Sequence, residues 1–406
     1  MPYSSPLPRP HLLTLLPCSV ARCPGLSISC VCFSTKRDSL MQDITQLGRN
    51  LADAWGSNSA VSIPGDVHII SVGFSCKDLS SMNANANSLA AYVTDVVHEY
   101  ASNPDGERFQ DVKSLAGTTA PTLVGALQYI RNHRPRVVLF ENVVGVRKIL
   151  GPLQSILESM GYGFFASGVV DPTQFSLPNR RPRIYFGGVA KGCFPKMSTS
   201  FQADSREQLD RIILECQRGP PTELESFLLK SDSYLRDLVL ETARHPERSE
   251  SGSDWPALHD EVFVHAGIAR PQASDLARFV AGIPNGAVRS WFTQQQPRVQ
   301  EAAYFATACT DDSAGSPEVF VDLSQSVDRM HRHEGVLMTF TAGSVPWMVR
   351  SRRCITGREM LAIHGLSLRR LTRFGSDSLL QELAGNSFSA PAFMAALLSI
   401  LLACPV

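Results

Sequence analysis

Neither sign of charge predominates in the chain: 38 Lys and Arg stand against 38 Asp and Glu. A global electrostatic pull on nucleic acid or on a membrane is therefore excluded, and only the distribution of charge could produce one. No run approaches the ~20 consecutive apolar residues of a membrane-spanning helix. The ten cysteines include no C-x-x-C pair. This removes the usual spacing of a zinc site and of a disulfide framework, and it points to a reducing compartment. Acidic residues are missing altogether from residues 1–37, where Pro, Ser, Cys and Arg gather. Such a segment fits an organelle transit peptide, a disordered tail or a misassigned start, and it is set apart as a leader or disordered segment.

What is present is a globular composition. The chain has 406 residues, 44% apolar and 19% charged, enough for one large domain or two ordinary ones. Between Arg329 and Arg373 nine arginines face only Glu334 and Glu359. That segment is either a local basic face or a solvated, partly salt-bridged surface. No internal repeat is visible.

Periodicity predicts an α/β fold with a parallel sheet. A helix over Leu40–Ala54 leads into Val67–Gly73, a β-branched apolar run that reads as a buried strand. A polar loop follows, then a helix over Ala84–Val97. Leu123–His133 reads as a helix stopped by Arg134-Pro135, and Arg136–Asn142 as a second buried strand. Ile149–Met160 reads as a helix with Gly161 at its end. Gly163–Val170 and Arg183–Val189 read as strands. Ligands of such sheets lie beyond the carboxyl ends of the strands, where Cys76 and Glu141 both fall. From about Lys191 the pattern turns irregular. Helical patches cover Ser205–Gln217 and Glu223–Arg244, and His245–Ser253 reads as a loop. Order returns with a capping box, Thr356-Gly-Arg-Glu359. A final apolar helix is opened by Ser389-Ala-Pro391.

Several short motifs follow one another in order. Gly73-Phe-Ser-Cys-Lys-Asp-Leu-Ser-Ser-Met-Asn83 resembles the catalytic loop Gly-x-Pro-Cys-Gln-x-x-Ser, with a later Asn, of the cytosine-C5 DNA methyltransferase family. Ser75 stands where that pattern has Pro, and Lys77 where it has Gln. Phe140-Glu-Asn-Val143 resembles its Glu-Asn-Val motif. Phe175-Ser-Leu-Pro-Asn-Arg-Arg-Pro-Arg-Ile-Tyr185 resembles its Gln-x-Arg-x-Arg motif, with Asn179 in the Gln place. Arg353-Cys-Ile-Thr-Gly-Arg-Glu-Met360 and Ala384-Gly-Asn-Ser387 resemble its two late motifs. Gly117-Thr-Thr119 resembles a Gly-Thr-Leu motif beside the cofactor. Asp43-Ile44 resembles an Asp-Ile pair, with an ordinary helix-start Asp as the alternative.

The resemblance implies a Rossmann-like sheet that uses S-adenosyl-L-methionine, joined to a smaller, irregular target-recognition domain. It divides the chain into a catalytic domain at 38–190, a recognition domain at 191–350 and a segment at 351–406 that returns to the catalytic domain. It implies DNA as partner and a nuclear location, with an organelle as the alternative that the acid-free leader suggests. Cys76 matches the nucleophile and Ser80 and Asn83 match its loop. Glu141 matches the residue at cytosine N3, and Arg181 and Arg183 match those that position the base. Cofactor-binding positions are Asp43, Ile44, Gly117, Asn386 and Ser387. No metal is implied. The chemistry suits these residue types. A thiolate added at C6 makes the inert C5 enamine-like, a carboxyl group stabilises the ring at N3, and a duplex requires the base to be flipped out. Lys77 offers a positive charge that favours thiolate.

The family's opening strand and Gly-rich turn, Phe-x-Gly-x-Gly, are not found before Asp43, nor is the ribose carboxylate that follows them. The gene model is truncated or misjoined, or another chain supplies the part, or the protein is an inactive relative. Two other functions remain open beside DNA methylation: a non-catalytic nucleic-acid-binding remnant, and methylation of tRNA cytosine.

Overall fold

The computed structural model describes residues 12–16, 31–32, 43–53, 59–80, 86–194, 197–216, 223–229, 254–311, 315–366 and 377–404. The chain divides into two compact units. The first holds residues 1–175, 182–218 and 390–406, and the second holds 176–181 and 219–389.

A six-stranded sheet of order β2-β1-β5-β6-β8-β7 forms the first unit. Its strands are β1 (Leu12–Leu16), β2 (Val31–Cys32), β5 (Ile69–Gly73), β6 (Val137–Val143), β7 (Tyr162–Ala166) and β8 (Arg183–Ala190). A separate hairpin pairs β3 (Leu51–Asp53) with β4 (Ala60–Ser62). β5 and β6 are buried nearly throughout, as their unbroken apolar runs demand of strands covered on both faces. Helices α1 (Ala86–Ser102), α2 (Thr119–His133), α3 (Leu150–Ser159) and α4 (Phe201–Cys216) supply the cover, with α11 (Ala390–Leu402) from the chain end. The core runs from Ile44 through Val72, Phe74, Leu123, Phe140 and Leu157 to Phe186. Phe140 stacks on Phe186 across neighbouring strands, with centroids 5.1 Å apart. α2 ends where Arg134 turns left-handed (φ 53°) before Pro135.

Four expectations need correction. Leu12–Leu16 is a strand, parallel to β5 and in register Leu12 with Ile69. The position of a first strand is therefore filled, although nothing before Asp43 reads as one. Its four leucines, interrupted by Thr14, sit in a Pro- and Cys-rich stretch that masks them. The sheet is mixed, because β8 runs antiparallel to both β6 and β7. Leu40–Ala54 holds no long helix among its described residues. Asp43 caps a single 3-10 turn, Ile44–Gln46, and the β3–β4 hairpin follows. The strand expected over Gly163–Val170 stops at Ala166.

The second unit is more regular than its sequence suggests. Four helices, α5 (Trp255–His265), α6 (Ala273–Ala281), α7 (Gly286–Thr293) and α8 (Pro297–Ala308), precede a four-stranded antiparallel sheet. That sheet has the order β10-β9-β11-β12, from β9 (Val319–Asp322), β10 (His333–Glu334), β11 (Pro346–Met348) and β12 (Arg353–Cys354). Trp347 on β11 stacks on Trp291 of α7 inside this core. α9 (Gly357–Ile363) and α10 (Asp377–Asn386) pack on each other and share a core with Leu337 and Phe340. Residues 357–389 thus stay with the second unit, and α4 belongs to the first because it packs on β7 and α11. Boundaries at 191 and 351 follow composition and motifs, which do not register packing. Of the helix expected over Glu223–Arg244 only residues 223–229 are described, and they hold a 3-10 turn at Leu224–Phe227; residues 230–253 lie outside the described ones.

Asp377–Leu402 has the length and composition of a membrane span, but the backbone leaves the helix at Ser387–Ser389 and α11 packs on α4 and β8. That is the placement of a core helix.

Gly125 tests how the 3-10 turn is seated. Alanine would strengthen an isolated helix by ~1 kcal/mol over glycine. Here its Cβ would lie 2.5 Å from the Ile44 carbonyl oxygen and 2.9 Å from Thr45 Cα. Overpacking of that kind costs about 1–3 kcal/mol. Gly125→Ala is expected to lower the thermal unfolding midpoint, and a raised midpoint would show that residues 44–46 are not seated on α2.

Candidate active site

Topology alone brings three chain segments to one edge of the sheet. β5 and β6 are parallel, so both present their carboxyl ends there, and antiparallel β8 begins at the same edge. The register sets Gly73 beside Glu141 and Val143 beside Arg183. Cys76 follows Gly73 by three residues.

Glu141 and Arg183 form a buried ion pair. Arg183 Nε lies 2.9 Å from Glu141 Oε1, and the two side chains are 10% and 8% exposed. Oε1 nevertheless receives no aligned hydrogen bond among the described residues. The contact is thus charge pairing at close range, and the carboxylate keeps capacity to accept from another donor. Arg183 Nη1 donates to the Pro182 carbonyl, which fixes the guanidinium. Asn142 is buried, and its amide donates to the Phe74 carbonyl at 3.0 Å. It ties the start of the cysteine loop to β6.

Cys76 is a free, half-buried thiol in a tight turn closed by the Leu79 N–H on the Cys76 carbonyl. Residues on both sides of it are held by the first turn of α2. Ser75 donates its N–H to Thr122 Oγ1 at 3.0 Å, and its hydroxyl lies 2.8 Å from Thr118 Oγ1. Asp78 Oδ2 accepts the N–H groups of Thr118 at 2.8 Å and Thr119 at 2.7 Å. The Asp78 N–H donates to Thr119 Oγ1. Gly117 turns left-handed (φ +75°), and a Cβ there would meet Asp78 Oδ2 at 2.5 Å. Sequence reasoning missed Asp78, Thr118, Thr119 and Thr122. An Asp two residues after a Cys carries no signal, and its partners lie some forty positions away. Lys77 is exposed, and Asn83 lies outside the described residues.

Arg181, two residues before Arg183, belongs to the second unit. Its Nη1 and Nη2 donate to the carbonyls of Phe340 and Gly385 at 3.1 and 3.2 Å. Asn179 bridges in parallel to Leu337, and its side chain lies 3.4 Å from His364 Nδ1. Segment 176–181 thereby joins the late motifs to one another. The capping box forms as expected. Burial pushes the Glu359 carboxyl up, opposed by Arg353 at 2.5 Å and by the N–H groups of Thr356 and Leu229. Among the described residues, several arginines after Arg329 are engaged by neighbours. Arg350 donates to the Pro317 carbonyl, Arg352 lies over Phe279 and Arg353 pairs with Glu359. Arg369, Arg370 and Arg373 lie outside the described residues.

The five expected cofactor positions divide between the two units. The Asp43 carboxylate accepts from Thr45 and pairs with Lys113 at 2.8 Å. Ile44 is buried in the core. Asp78 fills the space in front of Gly117. Asn386 and Ser387 belong to the second unit, where Ser387 donates to the Ala384 carbonyl. Within the first unit, Asp43, Ile44 and Gly117 are each engaged by neighbours and present no free seat for S-adenosylmethionine. No group of three His, Cys, Asp or Glu side chains among the described residues is placed to hold a metal ion.

A double-mutant cycle tests the ion pair. Removing one member of a buried pair costs about 3 kcal/mol, because the other charge is left uncompensated. Glu141→Gln and Arg183→Met should each lower the urea midpoint, and the double variant should lose at least ~1 kcal/mol less than their sum. Strict additivity would show that the charges do not interact.

Residues 112–400 match the family model "C-5 cytosine-specific DNA methylase". The chain is 26% identical over 384 residues to DNA (cytosine-5-)-methyltransferase DMT5 of Cryptococcus neoformans var. grubii serotype A (strain H99), covering 89% of this chain and 14% of that protein. It is 23% identical over 389 residues to DMT5 of Verticillium dahliae (strain VdLs.17), covering 85% of this chain and 16% of that protein. The chain therefore spans a small part of the curated relatives it matches. Among solved structures, S. pombe Dnmt2 methyltransferase is similar with TM-score 0.40 and 14% identity over 83% of this chain and 78% of that one. A putative DNA modification methyltransferase encoded within prophage Cp (E. coli) gives 0.37 and 16% over 83% and 79%. Cys76 precedes the residues that the family model matches, whereas Glu141, Arg181, Arg183 and the Gly385–Ser387 turn lie within them. That match takes in most of the sequence, and the chain belongs to the C-5 cytosine-specific DNA methylase family.

Proposed function

We propose that this chain methylates carbon 5 of cytosine in DNA through a covalent adduct on Cys76, with the target base flipped out of the duplex. The observation that carries the reading is the shared sheet edge. The Cys76 loop leaves β5 at Gly73, which lies beside Glu141 near the carboxyl end of β6, and the Glu141 carboxylate pairs with Arg183 at the start of β8.

Each residue then has a task. The Cys76 thiolate adds to C6, and the electron pair of the C5–C6 double bond becomes available at C5. Glu141 accepts from the exocyclic amine and, entering the complex as the acid, gives its proton to N3 as the thiolate adds; its Oε1 has no aligned donor to compete. Arg183 orients that carboxylate. C5 would take the methyl group as the donor's S–CH3 bond breaks, and loss of the C5 proton to water then expels the thiolate and restores the double bond. Arg181 holds the motif segments of the second unit together, and that unit is proposed to read the bases around the target. S-adenosylmethionine is the methyl donor that the family implies. The residues above account for activation and release of the base, and none of them accounts for donor binding. A DNA substrate places the work in the nucleus, or in a DNA-bearing organelle.

A duplex with 5-fluorocytosine at the target tests this. Fluorine cannot leave C5 as a proton does, so a denaturation-stable adduct should accumulate when donor is present. Cys76→Ser should abolish it while duplex affinity stays within about twofold. Glu141→Gln should slow its formation by about 10²–10⁴. An adduct that survives in Cys76→Ser would refute the mechanism. Duplex binding without any adduct in the wild type would identify a non-catalytic remnant, and trapping on tRNA alone would move the substrate to RNA.

A further inference from the structure

The family pattern carries proline where this chain has Ser75. Proline would restrict the loop by fixing φ, but it has no N–H to give. Ser75 uses its N–H, donating it to Thr122, and adds the hydroxyl contact to Thr118. Three residues on, Asp78 is 4% exposed, and its carboxylate takes the N–H groups of Thr118 and Thr119. These are N–H groups that the start of a helix leaves unsatisfied, in the place where a negative charge is favoured. Thr118 makes no side-chain cap of its own. Asp78 does from a distant segment what an N-cap residue does from within the helix. Gly117, by lacking a Cβ, leaves the room that the carboxylate takes. Cys76 sits between these two anchors.

We propose that Asp78 is a positioning residue that fastens the Cys76 loop to the first turn of α2, replacing with hydrogen bonds the rigidity that proline would give. The proposal rests on Cys76 as the nucleophile, since only then does loop position govern a reaction. Asp78 itself touches neither base nor donor. It fixes how often the thiol stands where C6 will be. Loss of the anchor should therefore slow capture of the base without weakening duplex binding, and should leave the thiol more open to solvent.

Two readouts on the whole chain test it. The first needs no substrate: alkylation of Cys76 by iodoacetamide, followed by peptide mass spectrometry, with exposed Cys193 as internal reference. The second is the rate of adduct formation on the 5-fluorocytosine duplex, measured beside duplex affinity. Asp78→Ala should raise the Cys76 alkylation rate relative to Cys193 by roughly fivefold, the population shift that loss of one capping interaction allows. It should slow adduct formation by at least as much, with duplex affinity unchanged. Asp78→Asn keeps an oxygen acceptor at the cap and should restore both rates. Thr122→Val is nearly isosteric and removes the acceptor for the Ser75 N–H. It should also raise Cys76 alkylation, which preserves the test if Asp78→Ala fails to fold. Unchanged alkylation in both Asp78→Ala and Thr122→Val would overturn the proposal, as would failure of Asp78→Asn to restore the rates. A wild type that forms no adduct would instead refute the proposed chemistry, while the alkylation arm would still decide whether Asp78 holds the loop.

Discussion

A buried charge is costly unless it is paired, and in the first unit Arg183 Nε lies 2.9 Å from the Glu141 carboxylate. The pair binds the end of β6 to the start of β8, the one antiparallel strand between β6 and β7. Around it the apolar strands are closed on both faces, so little water can reach the charges. A buried pair adds little net stability compared with an apolar substitute. Its worth here lies in orientation: an acceptor is held at the mouth of the sheet with one oxygen lacking an aligned donor. Asn142, next in the chain, uses its amide to hold the neighbouring loop rather than the pair.

The arginines at 181 and 183 show how a short motif can serve two units at once. Pro182 separates them. Arg183 faces Glu141 in the first unit, and Arg181 gives both Nη atoms to carbonyls in the second. One of those carbonyls belongs to Gly385, the first residue of the late Gly-Asn-Ser turn. Arg181, the first motif arginine, therefore ties the late Gly-Asn-Ser turn to the stretch at Phe340, and the sequence spacing of the two gives no hint that their work differs.

Much of the fold was legible because it rests on local patterns. The runs at Val67–Gly73 and Arg136–Asn142 could only be buried strands, and the capping box at Thr356 declared its helix. Three features were hidden for physical reasons. Strand β1 at Leu12–Leu16 gains its partner, β5, more than fifty residues away, and no turn signature announces it. The direction of β8 depends on pairing, and a buried strand has the same residue pattern in either sense. The anchoring of Asp78 on α2 is a contact between residues some forty positions apart, with nothing local to reveal it. Of the candidate site, motif order singled out Cys76, Glu141 and Arg183, which the fold brings to one edge of the sheet. The donor positions were readable in the same way, yet Asp43, Ile44 and Gly117 are each engaged by neighbours in the fold. A motif records residue identity and order but not whether the side chain is free to bind.

The most direct test of the account is a crystal structure of the chain trapped on a 5-fluorocytosine duplex. The account predicts an extruded cytosine with Cys76 Sγ bonded to C6 and a Glu141 oxygen within about 3 Å of N3. A pyrimidine bound to another residue, or one that leaves Glu141 without contact to the base, would contradict it.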